Sequence, residues 1–188
     1  MSNGQLEVDG PLAGPFKTTE ELTANTCTLM TSQGAASGGM AGSEYCALTY
    51  YVPEEAAFYL SYLSDVREKL DSRGAKTCSM PQALNDPRHV GALIIAGDHT
   101  HPHDLRFSAG DLSGRWNPTR MVDMKTGRVF HRELYLLYLD RGGICRVYSY
   151  NYATRIVSAL RNAQWVEIGQ VYDDSGNIQM FEGKDWLP

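Results

Sequence analysis

Residues 90–101, VGALIIAGDHTH, limit the fold more than any other stretch of the chain. A run of small and apolar residues of this length has no polar face to offer water, so it reads as a strand buried on both faces of a sheet. Pro102 ends it, because proline has no N–H to give a ladder. Such a strand sits in the middle of a sheet and demands neighbours on either side.

The rest of the sequence supplies them. EYCALTYYV (44–52) is rich in β-formers and apolar on both faces. FYLSYLSDV (58–66) reads as its partner or as an irregular excursion, and the stretch from 66 to 86 is polar, with the turn signals DSRG and NDP. MVDM, KTG, RVFHRELYLLYLD, RGG and ICRVYSYNY follow as strand, turn, strand, turn and strand over 121–152, and WVEIGQVY and NIQMFEG form a last hairpin around DDSGN. Helices are expected at two places. One starts near Thr18, where T-T-E-E sets a capping hydroxyl before acidic residues, and stops at the small-residue loop QGAASGGMAG. The other covers about 153–163. A helix near each end makes this a mixed α/β domain. Residues 1–15, rich in glycine and proline, are expected to be a flexible N-terminal arm, and 16–188 a single domain.

Composition then narrows the function classes. The net charge is −5 and no stretch concentrates lysine and arginine, which excludes nucleic acid as the main partner because phosphates need a positive surface. No run approaches the roughly 20 apolar residues that span a bilayer, so no membrane partner is expected. The N-terminus, MSNGQLEVDGPLAGPF, lacks the basic start and apolar stretch of a secretory signal. That predicts a cytoplasmic protein by default, with delivery by a signal-independent secretion system left open. Cys27, Cys46, Cys78 and Cys145 are spread without a C-x-x-C pair and are expected to be buried, reduced thiols.

The chain has only five histidines, and three of them, His99, His101 and His103, fall within five positions at the end of the central strand. Alternation puts His99 and His101 on one face, which is bidentate geometry for a metal ion, while Asp98 and Thr100 point to the other. A third ligand is within reach in Ser108-Ala-Gly-Asp111. There the serine caps a helix and the aspartate sits at its third position, from which one oxygen can still turn to a metal. His103 lies beyond the strand break and is expected to be a loop or supporting histidine, and His89 and His131 to be core or surface residues.

The pattern H99-T-H101-P followed by S108-x-x-D111, with Glu44 opening an earlier strand, resembles the signature of the JAMM metalloproteases, the JAB/MPN family. The resemblance covers about residues 18–150. Six residues separate His101 from Ser108, one fewer than is common in that family, and Cys46-Ala47 stands where a small glycine often follows the glutamate. The resemblance implies an MPN/JAB-like fold of cytidine-deaminase-like architecture, a mixed curved β-sheet flanked by helices. It implies zinc on His99, His101 and Asp111, with Glu44 as general base and Ser108 steadying the reacting oxygen. It further implies a zinc peptidase or isopeptidase acting on a protein or peptide, such as the flexible C-terminal tail of a ubiquitin-like protein. Phe107, Trp116, Tyr45 and Tyr50 are the aromatic candidates for a substrate groove, and VPEEAAFYLSYLSD (52–65) for its wall. Two rival readings stand beside this one: a metal-free MPN-like binding module, and a zinc amidase acting on a cell-wall or other substrate as a toxin or effector domain.

Overall fold

The computed structural model describes residues 5–64, 69–70, 74, 76–113 and 119–187. Nine strands build one sheet: β1 Ala13–Phe16, β2 Cys46–Val52, β3 Ala57–Leu60, β4 Leu93–Thr100, β5 Glu133–Leu139, β6 Cys145–Asn151, β7 Ile156–Arg161, β8 Gln164–Val171 and β9 Ile178–Met180. Their order across the sheet is β9-β8-β7-β6-β5-β4-β2-β3-β1. Every neighbour pair is antiparallel except β4 and β5, which run parallel with Tyr135 opposite Asp98 and Leu136 opposite His99. The VGALIIAGDHTH strand is therefore interior, with β2 on one side and β5 on the other, as its apolar run requires.

Helix α1, Thr19–Thr31, starts where its cap predicts. The Thr18 hydroxyl accepts from the Glu21 amide, and the Glu21 carboxylate reaches back to the Lys17 amide at 2.8 Å, an arrangement typically worth about 1 kcal/mol. It buries Leu22, Thr23, Thr26, Cys27 and Met30 against β1, β3, β5 and β6. Cys27, Met30, Ala47, Leu60, Leu137 and Val147 form the core beneath it. The other face of the sheet carries Leu134, Leu136, Tyr148 and Tyr150, covered by Phe107 and Leu112 from the crossover between β4 and β5. That crossover holds the short helix α2, Ala109–Ser113.

Several expectations are overturned. A mixed sheet of nine strands with only two α-helices among the described residues is a predominantly β architecture, so the α/β assignment and the MPN/JAB-like fold do not hold. The helix expected over 153–163 is β7. Its partner β8 follows through a tight turn in which Asn162 and Ala163 both have positive φ, 50° and 57°, the backbone of a two-residue hairpin. Such turns are usually announced by Asn-Gly, and Asn-Ala hid this one. Part of the segment expected as a flexible arm is paired, with Glu7–Asp9 running parallel to Ala83–Asn85 and β1 forming one edge of the sheet. The described part of the stretch expected as a groove wall, 52–64, contributes β3 to the sheet, bonded between β2 and β1.

The cysteines differ most. Cys27 is bonded to Cys145 and Cys46 to Cys78, with Cα separations of 6.0 and 5.7 Å, so none of the four is a free thiol. Spacings of 118 and 32 residues carry no hint of such proximity, which the packing of α1 on β6 and the approach of residue 78 to β2 create. Among the described residues no helix is long and apolar enough to cross a membrane.

Asp98 shows what the sheet interior does to a charge. It is fully buried, with the Thr49 hydroxyl donating to Oδ2 at 2.8 Å and no partner for Oδ1 among the described residues. Burial pushes its carboxyl up to about 7, against the opposing pull of Thr49 and His99. The native state thus holds a proton that the unfolded chain releases near pH 4, and the associated stability is lost as pH climbs through about 7. Asp98→Asn is expected to remove that loss. Urea midpoints at pH 5 and pH 8 should converge in the variant, with a gain at pH 8 of at most about 4 kcal/mol. An undiminished pH slope would assign the dependence to another group.

Candidate metal centre

Three residues converge at the end of β4 on the face opposite α1. His99 and His101 alternate with Thr100, whose hydroxyl accepts from the Tyr45 amide at 2.9 Å, while the His101 amide donates to the Leu137 carbonyl at 3.1 Å. The strand ladder thereby fixes His99 within β4 and His101 one residue past its end. Their Nε2 atoms lie 3.1 Å apart. Asp111 brings one oxygen to 3.5 Å from His99 Nε2 and the other to 3.5 Å from His101 Nε2. All three side chains can offer one ligand atom within 4.8 Å of the others.

These separations can be compared with what a metal would impose. Zinc bonds of about 2.0–2.1 Å in a tetrahedron hold donor atoms about 3.3 Å apart. The separations of 3.1 Å between the imidazoles and 3.5 Å from each imidazole to a different oxygen of Asp111 are close to that spacing, and two imidazoles with one carboxylate are a familiar zinc donor set. The residues present fit the ion.

Asp111 is presented by its own helix start. The Ser108 amide and hydroxyl both donate to Asp111 Oδ2 at 2.7 Å, and the Asp111 amide donates back to Ser108 Oγ at 3.2 Å. The capping box and the metal reading thus coexist, with the capping bonds on Oδ2 and Oδ1 directed to His99. Ser108 acts on Asp111 and orients it.

Glu44 reaches the same point from a loop. It lies two residues before β2, and its Oε1 is 3.9 Å from His101 Nε2. The loop can come this close because Gly42 rests directly on Pro102, where any side chain would collide, and the Gly39 amide donates to the Pro102 carbonyl at 3.1 Å. The Cys78 amide donates to Glu44 Oε2 at 3.3 Å.

The electrostatics follow from burial and from the convergence. Burial alone would raise Asp111, but His99 and His101 outweigh it and hold the carboxyl well below the ordinary range. Burial would lower His99, and here Asp111, with Glu44 behind it, outweighs it and the imidazole is raised. Glu44 is raised mainly by burial, against the pull of the two histidines. Without an ion the site is a tight cluster of partial ion pairs, and a divalent cation would compete with protons for the same atoms.

All five residues singled out in the sequence, Glu44, His99, His101, Ser108 and Asp111, meet here. His103 stays outside, 3.6 Å from Asp104, and His89 is held by Asp86 at 2.6 Å on another part of the surface. Of the aromatic candidates, Phe107 packs in the core with its ring 6.1 Å from that of His99, Tyr45 turns its hydroxyl to the Gly34 carbonyl, and Tyr50 is buried near Asp86. Trp116 lies outside the described residues. Sequence reasoning missed the cavity walls. A slot of about 360 Å³ opens from the centre, lined by Cys46, Cys78, Met80, Leu134 and Tyr152. Tyr152 places its hydroxyl 3.5 Å from the Asp111 carbonyl, and burial raises it above the usual phenol range. Cys78 and Met80 fall in a polar stretch with no periodicity, so nothing in the sequence marks them.

The geometry defines a His-His-Asp site with a second carboxylate beside it. Comparison with family models, with curated proteins and with solved structures finds no match for this chain.

Proposed function

We propose that this chain is a zinc-dependent hydrolase of peptide or isopeptide bonds, with a ligand set following the JAMM pattern. The observation that carries the reading is the approach of the His99 and His101 Nε2 atoms to 3.1 Å, with both oxygens of Asp111 at 3.5 Å and Glu44 at 3.9 Å. A zinc ion supplies Lewis acidity and a source of hydroxide near neutral pH. His99, His101 and Asp111 would hold it, and Ser108 keeps Asp111 in the orientation that does so. Glu44, beside the centre and with its carboxyl raised by burial, is placed to take a proton and return it to a departing amine. The slot beside the centre has apolar walls at Met80 and Leu134 and leaves room for a substrate side chain. A protein or peptide is the substrate class this supports, and the two disulfides favour work in an oxidising compartment over the cytosol.

The test uses zinc content and hydrolysis of fluorescein-labelled casein and a mixed peptide set. Wild type is expected to carry one zinc per chain and to cleave. Glu44→Gln should keep the zinc and lose about 10²- to 10⁴-fold in turnover, the usual contribution of a positioned acid–base group. Equal turnover in the two proteins removes Glu44 from the reaction, and a wild type that takes up no zinc removes the hydrolase.

A further inference from the structure

One wall of the slot is fastened by a covalent bond. Cys46 begins β2 in register with His99 on β4, and its disulfide partner Cys78 lies on the segment that forms the wall. That same segment grips Glu44 from two sides. The Lys76 amide donates to the Gly42 carbonyl at 3.1 Å, the Glu44 amide donates to the Lys76 carbonyl at 2.8 Å, and the Cys78 amide donates to the Glu44 carboxylate at 3.3 Å. Further on, Pro81 has no N–H to give, and the Gln82 amide donates to the Leu6 carbonyl at 2.9 Å. The amide that orients Glu44 thus belongs to one end of a disulfide whose other end is opposite a metal ligand.

Building on the hydrolase reading, we propose that the Cys46–Cys78 disulfide is the positioning element that keeps Glu44 at the metal centre, so that the site is competent in the oxidised chain and not in the dithiol form. Closing the bond takes two protons and two electrons from the two thiols. An oxidised disulfide compound accepts them by exchange and leaves as two thiols. With the bond open, segment 76–82 is held near Glu44 by hydrogen bonds that water can replace. His99 stands on β4, His101 one residue past its end and bonded to Leu137, and Asp111 on α2, so the ligands need no help from it. A chain made in a reducing compartment would therefore acquire its metal ligands first and its proton acceptor only on oxidation.

The probe is cobalt(II) alone, whose visible absorption reports the metal's ligands and their neighbours. It is added to wild type, Glu44→Gln, the pair Cys46→Ala/Cys78→Ala, and the three substitutions together. All four are expected to bind one cobalt, with affinities within about tenfold, the lower edge of what losing a ligand-orienting neighbour costs. The cysteine pair should shift the spectrum as Glu44→Gln does, and the three together should shift it no further. Should the double variant fail to fold, phosphine reduction of folded Cys27→Ala/Cys145→Ala protein, in which Cys46–Cys78 is the one remaining disulfide, gives the same comparison, that bond becoming two thiols as water's oxygen converts the phosphine to its oxide. A spectrum unmoved by loss of the disulfide overturns the proposal, as does an additive shift. Loss of cobalt from the cysteine variant also overturns it, because the bond would then be holding the ligands. A spectrum unmoved by Glu44→Gln does so too, since Glu44 would not reach the centre. Wild type that binds no cobalt sinks the metal reading itself, an outcome distinct from all of these.

Discussion

His101→Ala is expected to empty the metal centre. One of three ligands goes, and with it the imidazole that stands 3.5 Å from Asp111 and 3.9 Å from Glu44. Two largely buried carboxylates then face each other with His99 alone between them, an arrangement that favours protonation of one over capture of an ion. Zinc affinity should fall by more than about 100-fold, beyond what the loss of a mere orienting neighbour costs. The loss is also visible in stability. A ligand present at 100 times its dissociation constant stabilises the native state by about 2.7 kcal/mol, and for a chain of this size each kcal/mol moves Tm by roughly 2–4 °C. Wild type should therefore melt roughly 5–11 °C higher with zinc than without, by that same relation, and His101→Ala should show no such rise. Thermal scans with and without zinc, alongside metal analysis, check both. Retention of zinc by His101→Ala would mean that His101 is not a ligand.

The second large effect is structural. Replacing Cys27 and Cys145 together by alanine removes a bond that closes 118 residues and ties α1 to the start of β6. In the chain-entropy account such a loop is worth about 4–5 kcal/mol, and measured losses of native disulfides run about 2–5 kcal/mol. Cys27 is fully buried, so the truncation also leaves a small void under α1. A fall in Tm of roughly 4–20 °C follows from the size relation. The metal centre lies on the opposite face of the sheet, so zinc binding at a temperature where the variant is folded should not change. A variant that melts like wild type would show that packing of α1 on β5 and β6 suffices without the bond.

Much of the sheet was legible in the sequence, because a buried strand must carry apolar residues on both faces and a proline must end it. β2, β4, β5 and β6 follow from composition in this way. The strand β7 did not, since IVSALR fits a short helix as well as a strand, and the turn that decides between them uses Asn-Ala in place of a glycine pair. The α/β assignment fails for that reason, one segment read as helix tilting a predominantly β chain, and the MPN/JAB-like architecture, which rests on the motif resemblance, fails with it.

The candidate site divides along a different line. His99 and His101 share a face because of a two-residue period, and Ser108 and Asp111 share a helix start because of a capping pattern, so each pair is a local matter that sequence alone determined. Their meeting is not local. It depends on the crossover that lays α2 over the end of β4, and on Gly42 packing against Pro102 to bring Glu44 in. The two disulfides belong to the same category. Cysteines have no preferred spacing along the chain, only a preferred separation in space of about 4.4–6.8 Å between Cα atoms, and that separation exists only after the sheet and α1 have packed. What the residues write into their neighbours can be read in order, and what they do to partners a hundred positions away is set by the fold that brings them together.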